Sequence, residues 1–174
     1  MSMFPIASAI LTGSTNPVSF TSIPSTFTHL QLRYSARSNN ASATSNIYMC
    51  VNNDVTTNHY AFHSLTGNGA SAASSGSNTS QNNVLIPASI PAATATTGIN
   101  GVGIIDILDY SNANKLKTVK GLFGYDANGS GNVGLISGFD FFLATSSLIS
   151  QIDFYFDGSA IAGSRFDLYG IQTA

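Results

Sequence analysis

The chain has 174 residues, enough to bury a hydrophobic core within one domain. Only 8% of the residues are charged, glutamate is absent, and the formal net charge is −2. Helices normally cover their solvent face with Lys, Glu and Gln, so this composition argues against a mainly helical protein. The lack of a basic field argues against nucleic acid as a main partner.

In place of charged residues the chain is rich in Ser, Thr, Asn and Gly, and it contains seven Tyr and eleven Phe. Aromatic residues favour strands and small polar residues favour turns, so the composition predicts an all-β protein. The single cysteine, Cys50, cannot form a disulfide within the chain. Because it lies in an apolar stretch, we expect it to be a small buried side chain rather than a reactive thiol.

The first 17 residues are predicted to form an extended N-terminal arm. The apolar stretch 3–11 is too short to span a bilayer, and no basic residue precedes it as a signal peptide would require. We therefore expect mature sequence and no membrane partner. The arm would dock on an apolar surface of its own domain or of a neighbour, through the candidate anchors Phe4, Ile6, Ile10 and Leu11.

The pattern of the first half of the remaining chain predicts short strands that are bounded by turn residues. In the second of them, Leu30, Leu32 and Tyr34 alternate with polar residues, which is the period of a strand with one buried face. The predicted strands are 18–23, 27–36, 46–52 and 59–66.

A long segment of small residues interrupts this pattern. Residues 66–83 are almost entirely Gly, Ser, Ala, Asn and Thr, which cannot bury enough surface to fix themselves, so a loop is predicted. The following prolines, Pro87 and Pro91, indicate an extended edge connection.

The second half predicts five further strands. Residues 103–109 are apolar on both faces, as expected of a central strand that is covered on both sides. Residues 152–157 instead alternate between large apolar and polar side chains. The predicted strands are 101–109, 115–125, 132–139, 151–157 and 164–171.

Short strands separated by turn residues predict a jelly-roll-like antiparallel β-sandwich of about eight to ten strands, formed by residues 18–174 as one domain. The predicted interior includes Leu30, Leu32, Ile105, Ile107, Val119, Phe154, Phe166 and Leu168.

Candidate catalytic and metal-binding groups are better explained as structural residues. Asp106 and Asp109 lie on opposite faces of a strand, so they do not converge for acid–base chemistry. His59 and His63 would be roughly 13 Å apart on a strand, too far to share one metal ion. Residues 126–131 resemble the start of a calcium loop but lack its closing Glu, so an Asn-Gly turn is favoured. We therefore predict no catalytic residue, no metal and no cofactor.

Three stretches carry a resemblance to known proteins. They are residues 106–120 followed by 124–131, the C-terminal residues 163–171, and the earlier residues 27–33. Together and in this order they resemble a family of virion proteins of tailed bacteriophages that infect aquatic bacteria. The resemblance implies a non-enzymatic structural protein of the particle.

Two functions agree with that resemblance. The first is a capsid cement or decoration protein, expected to be a homotrimer on the exterior of the virion and to bind the major capsid protein. Its low charge would allow extensive contact with little desolvation of charge. Its candidate interface residues are Tyr60, His63, Lys115 and Lys117. The alternative is a tail-fibre or spike module that binds host surface glycan, and an enzyme such as a depolymerase comes third.

Overall fold

The computed structural model describes residues 2–68, 70–81, 83–126, 134–143 and 146–172. Within these ranges all regular structure is β, and no helix there could cross a membrane. The strands are β1 (Ser2–Ile10), β2 (Val18–Phe20), β3 (His29–Ala36), β4 (Thr44–Val51), β5 (Tyr60–Gly67), β6 (Ala72–Gln81), β7 (Val84–Pro91), β8 (Gly101–Ile107), β9 (Lys117–Asp126), β10 (Gly134–Leu143), β11 (Ile152–Phe156) and β12 (Arg165–Gln172).

The strands form two antiparallel sheets with the hydrophobic core between them. The large sheet has the order β1-β12-β3-β8-β9-β10-β5-β6, and the small sheet has the order β2-β11-β4-β7. This arrangement confirms the predicted all-β antiparallel sandwich.

Eight of the strands follow the connectivity of a jelly roll. In chain order these are β1, β2, β3, β4, β7, β8, β11 and β12. The first pairs with the last, the second with the seventh, the third with the sixth and the fourth with the fifth. The two remaining pairs, β5–β6 and β9–β10, are insertions that extend the large sheet beyond β8. These insertions explain why the described chain has more strands than the eight to ten expected.

The core agrees with the sequence-based expectation. All eight predicted interior side chains are at most 1% exposed, which confirms that list. Phe166 of β12 lies at the centre of an aromatic cluster, with ring centroids 5.8 Å from Tyr34 and 5.9 Å from both Phe154 and Phe156. Because Phe154 and Phe156 belong to the small sheet, this cluster joins the two sheets through large buried rings.

Two segments differ from their predicted secondary structure. Much of the segment 1–17 is not a separate arm, because Ser2–Ile10 pairs with β12 as an edge strand of the large sheet. The prediction of a loop at 66–83 is wrong for most of its length, because Ala72–Gln81 pairs with β5 as strand β6. Backbone hydrogen bonds suffice to build an edge strand even where the side chains are small.

Candidate functional site

The outer face of the large sheet carries a group of large apolar side chains that point away from the core. β8 was predicted to be covered on both faces, but its residues alternate between buried and exposed, so that prediction is wrong. Four outward side chains on β5, β8 and β9 keep much of their surface in solvent. They are Leu65 (64% exposed), Val102 (55%), Ile104 (43%) and Leu122 (59%), and we call them the apolar row.

Strand register places the members of the apolar row side by side. Ile104 of β8 lies directly opposite Leu122 of β9. Gly138 of β10 lies opposite both Leu122 and Leu65, so it stands between them. With neighbouring strands about 4.8 Å apart, the distance across the sheet from Ile104 to Leu65 is about 14 Å. Large apolar side chains exposed together on one face of a sheet are typical of sites of interaction.

A set of polar side chains borders the apolar row on the same face. The side-chain amide of Gln31 donates to Asp106 Oδ1 at 2.8 Å, and Arg33 Nε donates to Gln31 Oε1 at 2.9 Å. The Arg33 guanidinium also lies over the Tyr169 ring, 5.5 Å from its centroid. Lys120 stands opposite Asp106 in the register of β8 and β9. The face therefore combines an apolar row with polar groups of both charges, as protein–protein contact surfaces do.

The four candidate anchors near the N-terminus fall into two groups. Ile6 and Leu11 are partly buried and pack against the core of their own domain. Phe4 is 44% exposed although its ring lies 5.8 Å from that of Phe27, and Ile10 is 61% exposed. Only Phe4 and Ile10 therefore present substantial apolar surface for contact with another molecule.

The structure corrects two of the four candidate interface residues, because Tyr60 and Lys117 are fully buried. Tyr60 donates to the backbone oxygen of Asp54 at 2.9 Å, and burial raises the pKa of its phenol. The Lys117 ammonium donates to backbone oxygens, including Lys115 O at 2.7 Å, and burial lowers its pKa. Neither side chain can contact a partner without disruption of the fold.

The other two candidate interface residues are exposed, but they lie apart. His63 lies on the outer face of β5, on the same side of the sheet as Leu65. Lys115 lies in the turn between β8 and β9, where its ammonium is 2.5 Å from Asp109 Oδ2. The hydrogen bond from Lys115 lowers the pKa of the Asp109 carboxyl. The Lys115 ammonium is thus paired with Asp109 at the end of the sandwich, whereas His63 borders the apolar row.

Asp106 and Asp109 make separate contacts. Asp106 accepts from Gln31 on the sheet face, whereas the backbone N–H of Asp109 donates to His29 Nδ1 at 2.9 Å in the turn that follows. The Asp109 carboxylate itself contacts Lys115, so the two carboxylates do not converge. The predicted reason differs from the structure, because Asp109 lies in the turn beyond β8 and not on the opposite face of that strand.

The three histidines were also candidate metal ligands. His59 Nδ1 lies 2.7 Å from Asp54 Oδ2. Burial would raise the pKa of Asp54, but hydrogen bonds from His59 and Thr56 outweigh it and lower the value. Among the residues that the structure describes, no three His, Cys, Asp or Glu side chains are placed to hold a metal ion. Of the turn 126–131, all but Asp126 lies outside the described residues.

The apolar row was missed by sequence reasoning, although its signal was present. The apolar residues on both faces of 103–109 predict a strand that is covered on both sides. The same pattern arises when one face is left open for contact with another molecule.

Comparisons with known proteins give one structural likeness. No family model matches the chain, and no curated protein matches it. The crystal structure of an exo-inulinase from Aspergillus awamori is similar, with 14% sequence identity and a TM-score of 0.42. The match covers 97% of this chain but 29% of the inulinase chain, so this protein spans less than a third of that enzyme's length. At this identity and TM-score the likeness transfers no activity.

Proposed function

We propose that this protein is a structural component of a tailed-phage particle, a cement or decoration protein that binds and stabilises the outside of the assembled head. The observation that carries the proposal is the apolar row on the open face of the large sheet. Leu65, Ile104 and Leu122 are each 43–64% exposed, and they lie on neighbouring or nearly neighbouring strands of a rigid sheet. The proposed activity is binding to the major capsid protein, not catalysis.

The placement of the resembling sequence stretches supports this proposal. Residues 27–33 lead into β3, residues 106–120 join β8 to β9, and residues 163–171 lead into β12. In the large sheet these four strands are consecutive, in the order β12-β3-β8-β9. The stretches that resemble phage virion proteins therefore converge on one region of the sheet, and its outer face carries Ile104 and Leu122.

The charge on this face also suits a protein partner. The polar groups beside the apolar row include Arg33, Asp106 and Lys120, and Gln31 already satisfies one oxygen of Asp106. A partner that covered the apolar row would remove few unpaired charges from water. Removal of such charges from water is the main cost of polar contacts. We propose that the major capsid protein is this partner and that several copies of the chain act together on the virion exterior.

Copy number on the particle tests the proposed position. Quantitative mass spectrometry of purified particles would compare this protein with the major capsid protein. A ratio near one to one, or a simple fraction such as one third, is the expected result. A handful of copies per particle would overturn decoration of the head. It would instead favour a tail or vertex component that binds glycan.

A pair of variants tests the face itself. Ile104→Gln with Leu122→Gln should leave the fold intact, because both side chains are already exposed and no charge is added, and should weaken co-sedimentation with undecorated heads about 10- to 100-fold. The control is Val55→Gln with Leu116→Gln, which makes two similar changes at residues that are 61% and 50% exposed in the β4–β5 and β8–β9 loops. Equal losses for both variants would contradict a specific contact through the apolar row.

A further inference from the structure

The four edges of the two sheets differ in how well they are protected against pairing with another strand. Exposed sheet edges are normally blunted by proline, by bulges, by charge or by short length. β1 contains Pro5 and a register shift next to it, β2 is only three residues long, and β7 contains Pro87 and Pro91. Three of the edges therefore carry a device that hinders the addition of another strand.

The fourth edge, β6, carries such a device only towards its C-terminal end, where its register with β5 shifts. It is ten residues long and contains neither proline nor a charged residue. Its pairing with β5 is regular from Ala72 to Ser77, and the register shifts only beyond that point. Residues 72–76 are exposed to solvent and carry small side chains. An edge strand of this kind presents alternate backbone N–H and C=O groups without a side chain that would obstruct a neighbour.

We propose that β6 pairs antiparallel with β6 of a second copy of this chain, across a two-fold axis, so that the two large sheets become one continuous sheet. Pairing with another edge of a second copy is disfavoured, because Pro5 and Pro87 interrupt β1 and β7 and because β2 offers only three residues. Pairing of β6 with itself brings no like charges together, since the strand carries none. The contact is isologous and closes at two subunits.

This pairing also joins the apolar rows of the two copies. Leu65 of β5 lies directly opposite Ser74 of β6. With Ser74 near the two-fold axis, Leu65 of one copy and Leu65 of the other would stand about 14 Å apart on the same face, separated by two small serines. The apolar row would then continue across the dimer axis and double in length. A dimer differs from the trimer that the resemblance leads us to expect, and it does not depend on the proposed role on the phage head.

The mass of the purified protein in solution tests the dimer without any particle. Light scattering coupled to size exclusion should give twice the chain mass of 18.1 kDa. Ala72→Lys with Ser74→Lys should reduce it to the mass of one chain, since lysine is a natural protection of sheet edges. The matched control, Ser2→Lys with Ala7→Lys, places the same changes at exposed positions of β1 and should remain dimeric. A wild-type mass of one or three chains, or a dimer that survives the β6 substitutions, would overturn the proposal.

Cysteine cross-linking supplies a second test that does not require the lysine variant to fold. Ala73→Cys, Ser74→Cys and Ser75→Cys are introduced one at a time, and the protein is then mildly oxidised. Opposed residues of an antiparallel pair have Cα atoms about 4.5–5.5 Å apart, which a disulfide can bridge. Cys50 is buried and its pKa is raised by that burial, so it should not compete. At least one position should yield a covalent dimer, whereas Ser8→Cys on β1 should not. Failure at all three positions would overturn the pairing.

Discussion

At the residue scale, Arg37 shows how this weakly charged chain uses a cation to hold a loop in place. Its Nη1 donates to the backbone oxygens of Thr96 and Ile99 at 2.8 and 3.1 Å. Its Nη2 donates to those of Ala92 and Ala95 at 2.8 Å each. Arg37→Lys replaces this planar fork with a single ammonium that cannot reach all four oxygens. We expect the free energy of unfolding, measured in urea, to fall by about 1–3 kcal/mol.

Arg165→Lys is the matched control at the same scale. Arg165 lies at the surface, 52% exposed, and its Nε contacts Asp167 Oδ2 at 2.7 Å. Solvent screens such a pair and a lysine can replace it, so the same measurement should change little. Equal destabilisation by the two substitutions would show that the four hydrogen bonds of Arg37 contribute no more than a surface ion pair.

At the scale of elements, a strand glycine decides how closely β3 and β8 can pack. Gly103 of β8 lies opposite Tyr34 of β3, and a Cβ built on Gly103 would come within 2.4 Å of the buried tyrosine ring. Gly103→Ala should therefore lower the free energy of unfolding by about 1–3 kcal/mol, because the ring has no room to move. A Cβ on Gly67 of β5 would meet no atom within 4 Å, so Gly67→Ala should be neutral or slightly stabilising. Thermal unfolding of both variants checks this, and similar losses would refute the close approach.

The same strands show which elements could be predicted from sequence. Period-two alternation located β3 because one face of it packs on the core, and burial selects apolar side chains at every second position. The same alternation located β11, although Asp153 on its polar face is buried as well. β6 escaped prediction because its pairing with β5 depends on backbone hydrogen bonds, for which Ser, Ala and Gly leave no pattern. β8 was located correctly, but its second apolar face was assigned to the interior because a sequence does not state what covers a face.

At the scale of the whole molecule, the interior was more predictable than the contact surface. Phe154 and Phe166 could be assigned to the core because a large apolar side chain in an alternating strand has one favourable environment. Tyr60 and Lys117 were predicted to lie at an interface, yet both are buried and hydrogen-bond backbone groups in the interior. The open face became visible only when strand register brought together Leu65, Ile104 and Leu122, which are far apart in the chain.

Sparse charge also determines how the whole molecule responds to acid. All eight acidic side chains are aspartates, and the pKa values of Asp54, Asp109 and Asp167 are lowered in the folded protein. For Asp167 the main cause is the hydrogen bond from Arg165. A pKa lowered by folding stabilises the protein fully above the ordinary value near 3.8, and this contribution is lost as the pH falls through the lower folded values.

The carboxylates should therefore leave the melting temperature nearly constant from about pH 7 to about pH 5 and make it fall below about pH 4. Asp109→Asn with Asp167→Asn removes two of the three carboxyls whose pKa is lowered among the described aspartates. This variant should melt at a lower temperature than the wild type at neutral pH, and its melting temperature should fall less steeply in acid. Calorimetry from pH 7 to pH 2.5 measures both effects. An acid slope equal to that of the wild type would mean that Asp109 and Asp167 do not contribute to stability through their ion pairs, and that the acid response arises elsewhere among the aspartates.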